Sequence, residues 1–318
     1  MRLEWRFDVP MRDFAMLRVG GRAQAMAVCN TCDELAEAAA GAQSSGTPLF
    51  VLGSGSNIVP SDAGVPGAVL LNRAKDIAIG PSMRGSAEVV AETGCSFQEL
   101  FLKTAQAGLR GLEYAVGIPG TLGGALVSNA GAYRSNVSEF LTALEVVDDG
   151  QRRWVEPAWM EFSYRDSILR RDTGRNAVVL RVKMRLERGD RWAIYQEARE
   201  YQRQRISKQP PQSSVGSFFK NVEDPALASR LPNLPVRLRD AGVVPAGYLI
   251  QEAGLAGFAV GGAMFSHRHA NFIVNVRQAT ASDVRRLAEA ARDAVASRFG
   301  VRLVEEALYI GDWSGWNG

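Results

Sequence analysis

Residues 111–137, GLEYAVGIPGTLGGALVSNAGAYRSNV, constrain the fold more than any other stretch of the chain. Gly117, Gly120, Gly123, Gly124 and Gly131 are interleaved with Ile118, Leu122, Leu126 and Val127, apolar residues for which an exposed loop has no use. Glycine lets a backbone approach a neighbour closely and adopt left-handed conformations. A buried glycine-rich segment either turns tightly inside a core or lets something flat or phosphorylated lie against its backbone. The residues alone leave these two readings level. Ser128 and Asn129 add polar donors. A shorter segment, LFVLGSGSNIVPSDAG (49–64), runs a strand into a Gly/Ser/Asn loop whose consecutive N–H groups suit phosphate oxygens. It is not a dinucleotide fingerprint, because Ile58 stands at the third glycine position, and a plain tight turn explains it equally well.

The rest of the chain reads as alternating short strands and amphipathic helices. Residues 48–53, 68–72, 87–93, 144–148 and 177–186 have the apolar, β-branched character of strands. Thr31 with Glu34, Ser96 with Glu99, and Thr280 with Asp283 each open a helical pattern in capping-box spacing, and Gly300 supplies a stop after the third. A polar helix over 193–206 followed by QPPQSS marks the best boundary, within 187–211. After it come a strand at 270–276, the third capped helix and a last strand over 301–310. With 318 residues and 46% hydrophobic content, the chain has material for two cored domains. No apolar run reaches the roughly 18 residues of a membrane helix, and no signal-peptide pattern opens the chain. Three cysteines make no disulfide framework. The expectation is a cytoplasmic protein.

Net charge is +3, from 37 basic and 34 acidic residues, too mild for a nucleic-acid partner but compatible with an anionic small molecule. Arg165, beside Asp166 in FSYRDSILRR, offers the fork geometry that binds a carboxylate, although a surface arginine with a salt-bridge partner is the commoner outcome for any one arginine. Ser217 follows Gly216 in SSVGSFFKNVEDP and could deliver a proton; a turn serine is the plainer reading. No GxSxG elbow is present, which disfavours a serine hydrolase. In the last predicted strand, alternation sets Glu306 on one face with Val304, Leu308 and Ile310. A carboxyl so placed would be desolvated and its pKa raised, giving a general acid; the alternative is a rim glutamate paired with an arginine. Cys29 and Cys32 form a lone CxxC, and His267 and His269, the only two histidines, are spaced to share a strand face. Neither set has the ligands zinc needs, so no metal is expected.

Taken together, these segments resemble the UDP-N-acetylenolpyruvoylglucosamine reductase (MurB) family. LRVGGRA, VLGSGSN with SDAG, GIPGTLGGALVSNAGAY, YRDS, SVGSFFKN, PAGYLIQEAG, HANFIVN and VEEALYIG follow the family's order from about Arg18 to Gly311, the glycine-rich block being the most specific. The resemblance implies an α+β protein: a two-subdomain FAD-binding fold of the vanillyl-alcohol-oxidase (PCMH) type, plus a separate α+β substrate-binding domain. The corresponding boundaries are 1–190, in subdomains of about 1–72 and 73–190, and 191–318, with the last strand returning toward the flavin. It implies non-covalent FAD, lined by Gly53, Ser54, Gly55, Ser56, Asn57, Gly117, Ile118, Pro119, Gly120, Gly123, Ser128, Asn129 and Ala132. NADPH is the implied co-substrate. The implied catalytic residues are Arg165, Ser217 and Glu306, with Tyr133, Lys220 and Asn221 near the substrate. The implied reaction reduces UDP-N-acetylglucosamine enolpyruvate to UDP-N-acetylmuramate for peptidoglycan synthesis, by a monomer. The chain departs from the family pattern at Ser54, Arg134 and Val222, and at Leu308, where the family often carries an arginine. Two other readings stay open: another FAD-dependent oxidoreductase of the same fold, and a non-catalytic nucleotide-binding homologue.

Overall fold

The computed structural model describes residues 3–171 and 176–316. The chain divides into two compact units. The first comprises Met1–Val9, Ala23–Gly55 and Pro66–Ser207; the second comprises Pro10–Arg22, Ser56–Val65 and Lys208–Gly318. Both mix helices and strands, as an α+β protein should.

The first unit holds two large sheets and a small two-stranded one, Gly131–Ala132 with Ser135–Asn136. A four-stranded sheet runs Trp5–Pro10, Arg22–Cys29, Val65–Asn72 and Leu49–Leu52 in spatial order, the last two strands parallel. Helix α1 (Cys32–Ser45) packs Leu35, Ala36 and Ala39 into a core with Ala27, Cys29, Leu70 and Leu180. Its Thr31–Glu34 capping box forms in full, and Gly46 closes it in the left-handed conformation, where glycine costs least. The second sheet is an antiparallel series: Gln151–Val155, Leu141–Asp148, Val178–Arg188, Ser86–Glu92 and Ile77–Ile79, with Leu109–Arg110 pairing the end of the long strand. Helix α2 (Phe97–Gln106) sets Phe97, Leu100 and Phe101 beneath this sheet with Leu122 and Leu126 of the short helix α3 (Leu122–Val127). Ser96 caps α2, but Glu99 does not return the bond, so only half of the expected box forms. Helix α4 (Arg191–Lys208) is the polar helix expected from the sequence; it buries only Ile194 and Ala198.

The second unit is an antiparallel sheet in the order Ser214–Ser217, Phe272–Asn275, Ala263–Phe265 and Ala259–Val260. Three short helices, α5 (Pro225–Arg230), α6 (Val236–Asp240) and α7 (Ala246–Glu252), precede the long α8 (Ala281–Phe299). The apolar positions of α8, Val284, Leu287, Ala288, Ala291 and Val295, recur at helical spacing and are fully buried in the core. Its N-terminus carries the Thr280–Asp283 box, and the Asp62 carboxylate accepts from the N–H groups of Ala281 (2.9 Å) and Ser282 (2.8 Å). An acid there satisfies orphan donors and complements the helix dipole.

One expected strand is shorter than its sequence pattern. Of residues 301–310 only Leu308–Ile310 is a strand, and Glu306 lies in the bend before it. The backbone changes partners there. Lys220 N donates to Val304 O (2.8 Å) and Glu306 N to Phe218 O (2.7 Å), after which Leu308–Ile310 pairs in parallel with Ile58–Pro60. Val304 is 55% exposed, so strand alternation is not what surrounds Glu306.

Candidate functional site

In the first unit the two glycine-rich turns abut. The Leu49–Leu52 strand ends at Gly53, where a Cβ would overlap Thr121 Oγ1 and lie 3.1 Å from its Cγ2. Thr121 is the N-cap of α3, its hydroxyl accepting from Gly124 N at 3.3 Å. A side chain at Gly53 would therefore displace a cap, which is why glycine is needed there. Gly55 (φ 64°), Gly117 (φ 71°) and Gly120 (φ 129°) supply turns that L side chains rarely adopt. Ser54, Pro119 and Gly124 are exposed, while Gly53, Gly117, Ile118, Gly120 and Gly123 are half-buried. The product is an accessible surface made of backbone, almost free of side chains. Such a surface suits a flat ring or a phosphate, so the residues present fit a flavin nucleotide.

The polar residues at the end of this segment serve the fold. Ser128 Oγ donates to Gly124 O (3.1 Å). Asn129 Nδ2 donates to Ser163 O (3.0 Å), and its Oδ1 accepts from Ser138 N (3.3 Å). Both side chains read from the sequence as donors for a ligand thus have partners within the chain. Ser163 opens the turn that carries Arg165, and Ser167 Oγ donates to Val127 O (2.7 Å), lacing that turn to the glycine segment a second time. Arg165 itself sits at φ 52°, and its guanidinium donates to the carbonyls of Gly131 and Asn129. Asp166 pairs with Arg171 at 2.7 Å. Four non-glycine residues here, Asn129, Tyr133, Arg134 and Arg165, have positive φ, a clustering of backbone strain typical of functional sites. Tyr133 stacks on Tyr201 of α4 with centroids 3.8 Å apart, and its hydroxyl donates to Tyr201 O (3.1 Å).

In the second unit Ser217 ends the Ser214–Ser217 strand opposite Phe272, after Gly216 at φ 77°. Phe218 and Phe219 are fully buried and anchor the turn that leaves this strand. Asn271, 2% exposed, binds the turn from beneath. Its Oδ1 accepts from Phe219 N (2.9 Å), its Nδ2 donates to Phe219 O (2.8 Å), and its carbonyl accepts from Phe218 N (2.7 Å). Phe218 O receives Glu306 N, so the half-buried Ser217 and Glu306 sit on neighbouring backbone segments. Asn57 Nδ2 donates to Glu306 O (3.1 Å), and Asn57 O accepts from Leu308 N (3.0 Å), securing the bend from its other side. Asn221 Oδ1 accepts from Ala246 N at the start of α7 (3.3 Å). Lys220 is half-buried between Phe219 and Asn221 in the chain. Arg165, with Gly53 to Gly55, Gly117 to Ala132 and Tyr133, belongs to the first unit; Ser217, Lys220, Asn221, Glu306, Ser56 and Asn57 belong to the second.

No cluster of three or more metal-ligating side chains occurs among the described residues. Burial pushes the Cys29 thiol up to about 12, then the Glu34 carboxylate adds to it, leaving a structural thiol. The two histidines lie in the bend and turn before Phe272–Asn275, not on a strand face. His269 packs against Phe272 at 4.7 Å, and burial lowers its pKa.

The chain is 37% identical over 311 residues to the UDP-N-acetylenolpyruvoylglucosamine reductase of Rubrobacter xylanophilus, covering 96% of this chain and 95% of that one. It belongs to the UDP-N-acetylenolpyruvoylglucosamine reductase family. The family's C-terminal domain model matches residues 208–310, the span of Ser217, Lys220, Asn221 and Glu306. A model described as an FAD binding domain matches residues 23–155, which contain both glycine-rich turns. Arg165 lies between the two matches. The reductase of Heliobacterium modesticaldum is 37% identical over 317 residues, covering 99% of this chain and 93% of its own. The crystal structure of the Thermus caldophilus reductase superposes with a TM-score of 0.73 at 32% identity, covering 98% of this chain and 99% of that one. Membership confirms the α+β, FAD-binding fold class expected from the motifs.

Two residues that support the candidate site, Asn271 and Tyr201, carry no mark in the sequence. Asn271 stood inside HANFIVN, but nothing local marked it as the brace of a turn 52 positions away. Tyr201 was hidden in a helix whose composition reads as solvent-exposed.

Proposed function

We propose that this protein reduces the enolpyruvyl group of UDP-N-acetylglucosamine enolpyruvate to give UDP-N-acetylmuramate, in the cytoplasm, with NADPH as reductant. One observation supports the division of labour best: the hydrogen bond from Glu306 N to Phe218 O, which ties the glutamate segment to the residue following Ser217. Functionally, we assign FAD binding to residues up to about 190, and substrate binding to those from 191. Gly53 to Asn57, Gly117 to Gly120, Gly123, Ser128, Asn129 and Ala132 hold the flavin nucleotide without a covalent link. FAD, when bound, supplies the hydride relay between NADPH and the enolpyruvyl double bond.

The chain's own groups orient and polarise. Arg165, pinned through the carbonyls of Asn129 and Gly131, presents its guanidinium to the enolpyruvyl carboxylate and stabilises the charge that develops there. The Glu306 carboxyl, when protonated, supports the same charge as a hydrogen-bond donor. The Ser217 hydroxyl delivers a proton to the carbon that does not receive the hydride. Tyr133, Lys220 and Asn221 hold the nucleotide part of the substrate.

The test is NADPH consumption by the FAD-loaded protein. We expect turnover that requires UDP-N-acetylglucosamine enolpyruvate. Oxidation of NADPH by oxygen alone, unaffected by the sugar nucleotide, would replace this reading with another flavin-dependent oxidoreductase. A purified protein with no flavin spectrum, unable to take up added FAD, would replace it with a non-catalytic homologue.

A further inference from the structure

The last turns of α4 hold a half-buried cation, Arg205, that no carboxylate among the described residues neutralises. The Arg205 guanidinium donates through Nη2 to Tyr114 O (3.2 Å), and its ζ carbon lies 5.7 Å from the centroid of the Tyr133 ring. Its Nε is buried and has no hydrogen-bond partner. Its aliphatic stem packs on the positive-φ turn at Gly117, whose absent Cβ would come within 3.2 Å of Arg205 Cδ. Two other arginines of the unit have acids at hand: Arg152 has Glu145 at 2.9 Å, and Arg171 has Asp166 at 2.7 Å. Burial pulls the Arg205 pKa down, Tyr133 opposes the fall and the charge of Arg165 adds to it; no carboxylate is among the groups acting on it.

Burying a guanidinium is costly unless an anion repays its lost hydration. A carbonyl and an aromatic face recover part of that cost. A second guanidinium nearby adds to it. Two cations in one neighbourhood, beside a tyrosine pair and a backbone turn without side chains, make an arrangement that an incoming oxyanion stabilises. The planar fork of Arg205 and its position over Tyr133 favour phosphate oxygens over a point contact with water.

We propose that Arg205 is a substrate-binding residue that holds the diphosphate of the nucleotide sugar. The inference rests on the function proposed above, which places the nucleotide part of the substrate at Tyr133. NADPH and FAD carry the same phosphate chemistry, and the experiment separates the three sources.

Titrating UDP into the FAD-loaded protein by calorimetry, Arg205→Met should weaken binding at least about 10-fold, as losing one partner of a buried charge pair does. Arg205→Lys should recover part of that loss, because a point charge replaces the fork. FAD content and the rate of flavin reduction by NADPH should stay at wild-type values in both variants. UDP affinity within twofold of wild type in a folded Arg205→Met protein would overturn the inference. So would a loss confined to NADPH-driven reduction, or a loss of FAD. If Arg205→Met does not fold, Arg205→Lys carries the test alone, and unchanged UDP affinity in it overturns the proposal. Wild-type protein that takes up no UDP would overturn the reading of function itself, and this inference with it.

Discussion

The glycine-rich bed of the first unit and the Ser217–Glu306 region of the second are built on opposite principles. The bed works by omission. Gly53 leaves room for Thr121, positive-φ glycines shape the turns, and the polar side chains of Ser128 and Asn129 are spent on internal bonds. The second region works by support. The half-buried Ser217 and Glu306, proposed to act on the substrate, stand on segments whose backbone groups are matched one by one with Asn271, Asn57 and the 304–308 segment. A surface that must accept a large flat group needs backbone geometry, whereas groups that must act at one carbon need fixed side chains. The first demands glycine and tolerates strain; the second demands saturated hydrogen bonding.

Substitutions that damage one region while sparing the other are the way to break this contrast. The largest expected effect is Gly53→Val. The added side chain overlaps Thr121, costing about 3 kcal/mol from overpacking and about 1 kcal/mol more if the α3 cap is lost. The protein should purify with little flavin, read from its visible absorption; full flavin content would show that the close packing at Gly53 is not what shapes the bed. Next comes Asn271→Ala, which strands the buried N–H and C=O of Phe219 and should cost about 3 kcal/mol in urea denaturation. Flavin content should be unchanged, and a variant that loses flavin as readily as stability would erase the distinction between the regions.

A smaller effect is expected at the C-terminal end of the second unit. Arg285 lies over three rings, Tyr309 of the Leu308–Ile310 strand at 5.2 Å and Trp313 and Trp316 just beyond it at 4.8 Å each. Arg285→Ala should cost about 1 kcal/mol, with Arg285→Lys recovering part of it in the same melting experiment. The smallest effect is a pH dependence from His269. Burial holds its folded pKa below the ordinary 6.5, so the folded state prefers the neutral ring. The unfolded chain then binds more protons as pH falls. The contribution is complete above 6.5 and is lost as pH falls through the depressed folded value. Denaturation midpoints across that range should show a decline that His269→Gln flattens.

Much of this architecture was legible because its signals are local. Thr31, Thr280 and Gly300 mark helix ends by side-chain chemistry within a turn of the cap, and the strand around Leu180 declares itself by β-branched content. The glycine-rich bed was visible as a compositional contradiction, glycine among apolar residues. What stayed hidden depends on partners far away in the chain. The bend at Glu306 arises because residues 304–306 bond to 218–220 while 308–310 bond to 58–60. Residues 10–22 and 56–65 pack with the second unit through contacts such as Asn275 Nδ2 to Leu17 O (3.0 Å). Arg205 and Tyr201 looked like two more polar positions of a solvated helix; only the fold sets Tyr201 under Tyr133 and Arg205 over it.

The most direct test of this division of labour is anaerobic stopped-flow on Ser217→Ala, with the two half-reactions observed separately. Flavin reduction by NADPH should proceed at the wild-type rate, because the bed is intact. Reoxidation by UDP-N-acetylglucosamine enolpyruvate should slow by roughly 100-fold or more, the usual weight of a lost general acid. Equal slowing of both half-reactions, or none in the second, would contradict the assignment of proton delivery to Ser217.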